Sequence, residues 1–303
     1  MDKAYVVDDF RTGTVTRVKK VISTAGGKGL NVARVIASLK QDVIVTGFVG
    51  GFTGAFLEQV LTKQEIPSQF THVYGETRTC INIIDEVSNI HTELLEPGPY
   101  VSKKEVEEFF RLYTRLTRKS DVITLSGSVP RGISIDIYSR LINIAKEVGK
   151  KVILDTSGAY LLQGIKCSPT IVKPNKFEAE QLLGRKLNDI SDIIAAAVEF
   201  LDMGSQVVAI SLGAEGVLVA SSLEKKAYFA TPPKIEPVNT VGCGDAMVAG
   251  FAIGLHNKWS LDECIKYAVA VSASAALSSI TGSIVVDKIN SIKDNIIFER
   301  ISF

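Results

Sequence analysis

VITLSGSVPRGISIDIYSRLINIAKEVGKKVILD, residues 122–155, reads as one strand–helix–strand unit. Val122–Leu125 and Val152–Leu154 are near-continuous apolar runs, the pattern of strands covered on both faces. Between them Ile137, Leu141, Ile144, Ala145 and Val148 recur at helical spacing. A strand, a helix and a second buried strand make a parallel crossover unit. Further runs at Val43–Val49, Val207–Leu212 and Val217–Ala220 extend the pattern, and Val32, Val35, Ile36 and Leu39 line another helix. The expected fold is α/β, a mostly parallel sheet flanked by helices. Ligands of such sheets sit at the carboxyl ends of the strands.

Two segments break the rhythm. Residues 4–23 and 79–96 alternate in short β patterns around turns near Thr12-Gly13 and Val87-Ser88-Asn89, with no helix between their strands. They are expected to form hairpins projecting from the main sheet as a small β-sheet lid. No repeat, low-complexity tract or linker appears, so residues 1–303 are expected to be one domain carrying that lid.

Composition narrows the function. The 303 residues are 46% hydrophobic and 22% charged, enough for a large core. A net charge of +1 gives no general attraction to nucleic acid or to an anionic membrane, so neither is expected as a partner. Cys80, Cys167, Cys243 and Cys264 are scattered without a CxxC pair, which fits free thiols in a reducing cytoplasm. His72, His91 and His256 lack metal-ligand spacing, and Trp259 is expected in the core.

Asn239-Thr-Val-Gly242-Cys243-Gly244-Asp245-Ala-Met-Val-Ala-Gly250 carries the strongest chemical signal. Gly242 and Gly244 permit a tight loop with inward amides, and a helix expected to start near Gly244 turns its positive end to the same place. Asp245 there can take a proton from an attacking hydroxyl; in isolation it could equally be a helix N-cap. Ala25-Gly26-Gly27-Lys28-Gly29-Leu30-Asn31 places glycines, a cation and an amide before a helix, again suited to an anion or a sugar. It lacks the spacing of a Walker loop.

Lys173-Pro174-Asn175-Lys176-Phe177-Glu178 follows the apolar pair Ile171-Val172. Asn175 and Glu178 can share a polar site holding Mg²⁺ waters near nucleotide phosphates, or form a capping box, or both. Ser211-Leu212-Gly213-Ala214-Glu215-Gly216 is a nucleotide-facing loop or an ordinary hairpin turn. Arg78 lies at the base of the lid, placed for a substrate phosphate, and Ser126 ends a strand where backbone groups can meet a substrate.

Together GGKGLNVA, KPNKFE, SLGAEG and NTVGCGD, in this order, resemble the PfkB family of ribokinase-like carbohydrate kinases. The resemblance covers nearly the whole chain. It implies a ribokinase-like α/β domain with a lid, ATP and Mg²⁺ as cofactors, and transfer of the γ-phosphoryl to a sugar hydroxyl. GFVGGFTG (47–54), GETRTC (75–80), ELLEPGP (93–99) and SGSVP (126–130) are similar to the branch of tagatose-6-phosphate kinases and 1-phosphofructokinases. That likeness implies a ketohexose phosphate as substrate, with tagatose 6-phosphate favoured and fructose 1-phosphate the alternative. A catalytically weak sugar-phosphate sensor on the same fold is the reading from another class.

The implied roles run as follows. Asp245, with Gly242, Cys243 and Gly244, performs the transfer. Asp2, Gly27, Lys28, Asn31, Arg78 and Ser126 bind the sugar phosphate. Lys173, Asn175, Glu178, Ser211, Gly213 and Gly216 bind ATP, and Glu178 holds Mg²⁺ through water. Cys243 stands where Ala or Ser is usual, and either slower turnover or oxidation sensitivity beside Asp245 is expected. Members of this branch open with a strand that would precede Met1; either translation starts upstream or the sheet lacks that strand. A homodimer through the lid is expected.

Overall fold

A computed structural model describes residues 1–302. In chain order the elements are β1 (Asp2–Val7), β2 (Lys20–Thr24), α1 (Lys28–Ser38), β3 (Phe48–Val49), α2 (Gly51–Lys63), β4 (Thr71–His72), β5 (Cys80–Asp85), β6 (Ile90–Leu95) and α3 (Lys103–Thr117). Then come β7 (Val122–Ser126), α4 (Ile137–Glu147), β8 (Lys151–Asp155), α5 (Gly158–Ile165), β9 (Ile171–Val172), α6 (Lys176–Leu183), α7 (Ile190–Asp202), β10 (Val207–Ser211) and β11 (Val217–Ser221). β12 (Lys226–Thr231), α8 (Cys243–His256), α9 (Leu261–Ala276), α10 (Ile289–Asp294) and β13 (Ile297–Ser302) complete the chain. The chain divides into two compact units. One comprises Met1–Leu30, Ile44–Phe109 and Val129–Ile133; the other comprises the remainder.

The first unit holds a four-stranded sheet ordered β2-β1-β5-β6. The two hairpins read from the sequence are both present. β1 pairs antiparallel with β2, and β5 with β6, while β1 and β5 join the hairpins in parallel. Asp85 ties the two together: its carboxylate accepts hydrogen bonds from the amides of Asp9, Phe10 and Val87 and from the Ser88 hydroxyl. Burial alone would raise its pKa, but these donors hold it well below the usual carboxylate range.

The apolar run at 43–49 becomes only the short strand β3, which pairs in parallel with β4. An isolated bridge between Val45 and Ser68 begins this ladder. It forms a separate two-stranded sheet in the first unit rather than a strand of the main one. Val45 and Val49 are buried, and Thr46, Gly47 and Phe48 between them are half-buried.

The second unit contains the seven-stranded sheet β13-β12-β11-β10-β9-β8-β7. Strands β7 to β10 are parallel, as the crossover reading requires, and β11 to β13 extend the sheet antiparallel. The α4 stripe is Ile137, Tyr138, Leu141, Ile142 and Ala145. Val148, the last residue of the pattern, caps the helix one residue beyond its end and is 39% exposed. Ten consecutive residues of α8, Asp245–Gly254, are buried, so this helix is enclosed on every side. Gly250 and Gly254 let α9 approach closely: a methyl at Gly250 would lie 2.5 Å from Ala268 Cα. Trp259 is not a core residue. It is 39% exposed, its ring edge-on to Tyr267.

Candidate active site

In the second unit, helix α8 begins where the sequence places it. Gly242 is its N-cap at φ +88°, a conformation glycine adopts without strain. Asp245 therefore lies in the first helical turn and is not the cap. It is 5% exposed, at the positive end of an enclosed helix. Asn31, in the first turn of α1, is 6% exposed and donates from Nδ2 to Asp245 Oδ2 at 2.8 Å. Arg34 Nη1 donates to Asn31 Oδ1 at 2.9 Å. The Asn31 amide, assigned above to the sugar ring, is thus engaged by Asp245 and Arg34.

The loop before α8 is ordered by Asn239. Its Oδ1 accepts from the Val241 amide at 2.9 Å, and its Nδ2 donates to Thr281 Oγ1 at 3.1 Å. The Cys243 amide turns back on the Thr240 carbonyl at 3.3 Å. Burial, followed by the charge of Asp245, pushes the Cys243 thiol up to about 11. A thiol held protonated works against the oxidation sensitivity expected above, since the thiolate is the reactive form.

Lys173 reaches the same loop from the end of β9. Its Nζ would lie 3.3 Å from a methyl placed on Gly244, and it pairs with Asp155 at 3.4 Å, both side chains almost wholly buried. Asp155 was missed by the sequence reading. Its signal was a carboxylate ending the apolar run of β8.

Asn175 and Glu178 form the capping box at the start of α6. Asn175 Oδ1 accepts from the Glu178 amide at 2.7 Å, and Glu178 Oε2 from the Asn175 amide at 2.8 Å. A bridge between Asn175 and Ser211 then brings two motifs together, and Asn175, Lys176, Phe177, Ser211, Gly213 and Glu215 line one shallow concavity. Gly216 lies at φ +103°, where a methyl would strike the Ala230 carbonyl at 2.0 Å, so its role is to let β11 pair closely. The Ser126 hydroxyl is buried without a hydrogen-bond partner among the described residues.

In the first unit, Asp2 lies against Gly26. A methyl there would fall 1.9 Å from Asp2 Cγ, so only glycine admits this carboxylate. Gly27 takes φ +124° and Lys28 opens α1. Arg78 precedes β5, its carbonyl accepts from the Met1 amino group at 2.8 Å, and a methyl placed on Gly98 would lie 3.7 Å from its Cβ and Cδ.

His72 and His256 pair with surface carboxylates, and no group of three or more His, Cys, Asp or Glu among the described residues is arranged to hold a metal. A cation gripped by several side chains does not fit. A cation held mainly by water and phosphate oxygens needs no such cluster.

The pfkB family carbohydrate kinase model matches residues 1–288. The chain belongs to that family of carbohydrate kinases. This pfkB kinase is 39% identical over 295 residues to the tagatose-6-phosphate kinase of Staphylococcus epidermidis, covering 96% of this chain and 94% of that one. Among solved structures it is similar to phosphofructokinase-2 from Escherichia coli in complex with potassium, with TM-score 0.90, 28% identity, and 97% and 94% of the two chains covered. It is also similar to a Thermotoga maritima protein described as a possible 1-phosphofructokinase, with TM-score 0.86, 29% identity, and 99% and 96% covered. The ribokinase-like reading of the fold agrees with these neighbours. No helix among the described residues is long and apolar enough to cross a membrane.

Proposed function

We propose that this kinase transfers the γ-phosphoryl group of ATP to the free primary hydroxyl of D-tagatose 6-phosphate, giving tagatose 1,6-bisphosphate and ADP. The observation that carries the reaction type is the buried Asp245 in the first turn of α8, met by the Asn31 amide. The likeness to the tagatose-6-phosphate kinase of S. epidermidis favours the acceptor. Fructose 1-phosphate is the second reading, supported by the likeness to the T. maritima protein. Both acceptors are ketohexose phosphates with a primary hydroxyl at the far end of a furanose ring.

Asp245 takes the proton of that hydroxyl as its oxygen attacks the γ-phosphorus. The bond from phosphorus to the ADP oxygen breaks, and ADP leaves. The amides of Gly242 and Gly244 at the N-terminus of α8, with the helix dipole, stabilise negative charge gathering on the moving group. Lys28 and Arg78 hold the phosphate already on the sugar, while Asp2, seated on Gly26, contacts ring hydroxyls; Gly27 and Ser126 are each read as binding the sugar. Lys173 neutralises ATP phosphate charge, and Asn175, Ser211 and Gly213 seat the nucleotide. Mg²⁺, when bound, screens the phosphate oxygens, and Glu178 would hold its water shell.

The enzyme is read as cytoplasmic, in keeping with its four free thiols. It is read as a homodimer through the lid sheet, whose outer strands expose Val21, Ile22, Leu94 and Leu95. Sedimentation showing a monomer at micromolar concentration would remove the dimer reading.

The test of the function is a coupled assay with ATP–Mg²⁺ and tagatose 6-phosphate, fructose 1-phosphate or fructose 6-phosphate. The highest kcat/KM is expected for tagatose 6-phosphate. A preference for fructose 1-phosphate moves the assignment to the second reading. Binding of sugar phosphate without turnover makes the protein a sensor.

A further inference from the structure

The Asn31 amide stands between two groups of opposite hydrogen-bonding character. Its Oδ1 accepts from Arg34, and its Nδ2 donates to Asp245. A guanidinium has only donors, and an ionised carboxylate only acceptors. Between them an amide has one favourable orientation. Turned over, it would set nitrogen against the guanidinium and oxygen against the carboxylate. The second clash is relieved only if Asp245 carries a proton, and a protonated Asp245 cannot take one from a hydroxyl.

We propose that Arg34 is a positioning residue for phosphoryl transfer: it fixes the orientation of the Asn31 amide, so that Asp245 is met by a donor and held ionised. This rests on the reading of Asp245 as the base. Arg34 itself exchanges no proton, and the hydroxyl proton passes to Asp245 alone.

The local sequence builds the relay. Asn31 and Arg34 are three residues apart on α1, so their side chains lie one above the other. Val32, Val35 and Ile36, all buried, pin that helix into the core. Gly282 closes the remaining side. It sits at φ +76°, and a methyl there would fall 2.8 Å from Asn31 Oδ1 and 3.1 Å from Arg34 Nη1. The turn backbone therefore walls the amide and the guanidinium together.

The experiment is steady-state kinetics of the full chain, using the ketohexose phosphate with the highest wild-type turnover. The variants are Arg34→Met, Arg34→Gln, Arg34→Lys, Asn31→Ala and the Asn31→Ala/Arg34→Met double, each with its melting temperature and with Asp245→Asn as reference. Arg34→Met is expected to lower kcat about 10–100-fold with KM for ATP within about twofold. Arg34→Lys keeps a donor and is expected to recover most of that loss. In the Asn31→Ala background the second substitution is expected to cost less than about threefold, because the residue it acts through is gone. Should Arg34→Met fail to fold, Arg34→Gln carries the test, since its shorter, neutral amide stays polar but withdraws the guanidinium donor from Asn31. Unchanged kcat in folded Arg34 variants, or equal losses in both backgrounds, would overturn the proposal. Near-normal kcat in Asp245→Asn would instead remove the reading of the base.

Discussion

Asn31 and Asp245, 214 positions apart in sequence, are joined by a 2.8 Å hydrogen bond inside the protein. Each is almost fully buried, so the bond is made where water cannot replace it. Removing the amide leaves a desolvated carboxylate short of a donor. Asn31→Ala is expected to lower stability by about 1–3 kcal/mol and to reduce kcat as well. Urea melts and initial rates on one preparation check both. A stable variant with wild-type kcat would mean that the bond serves neither folding nor transfer.

Gly26 has a different task. A methyl there would strike the Asp2 carboxylate at 1.9 Å, so Gly26→Ala must displace Asp2. KM for the sugar phosphate is expected to rise about tenfold or more, with KM for ATP little changed. Adding Gly26→Ala to Asp2→Ala should then cost little more, since the displaced group is already gone. Full additivity would show that Asp2 is not the group that Gly26 accommodates.

Lys173 and Asp155 form an ion pair at 3.4 Å with both side chains nearly sealed from solvent. Such a pair is costly to break from one side, because the surviving charge stays buried alone. Asp155→Ala is expected to destabilise the protein by about 3–5 kcal/mol at neutral pH. A loss below about 1 kcal/mol, the range of an exposed pair, would contradict the burial argument.

The Cys243 thiol is pushed up to about 11, first by burial and then by the charge of Asp245. Alkylation by iodoacetamide should be slow at neutral pH and climb steeply above about pH 9. The sign for stability follows. A thiol whose folded pKa exceeds its unfolded one keeps its proton longer when folded, so this group makes the fold less stable as pH rises from about 9 to 11. Rapid modification at pH 7 would show that the thiol is not shielded as its burial implies.

Much of this fold is legible because local pattern and tertiary burial agree. The stripe at Ile137, Leu141 and Ala145 and the apolar runs of β7 and β8 each have one sensible partner. The run at 43–49 misled because a strand of the main sheet and a short strand of a separate two-stranded sheet share β-branched residues. At the site, the glycines and Asp245 stood out because an anion-binding helix start needs them in sequence order. The contacts between elements did not stand out. Nothing in the spacing shows Asn31 reaching Asp245, Asn175 bridging Ser211, or the turn at Thr281-Gly282 closing on Asn31. Arg34 was hidden for a simpler reason: an arginine in the second turn of an amphipathic helix looks like any solvated face.

The most direct test of the account is kcat for Asp245→Asn, measured beside sugar-phosphate and ATP binding by calorimetry. Asparagine keeps the shape of the side chain and cannot accept the hydroxyl proton. A fall of about 10²–10⁴-fold in kcat, with both ligands still bound, is the predicted result. Near-normal kcat would show that the hydroxyl loses its proton elsewhere and that Asp245 serves only the structure of α8.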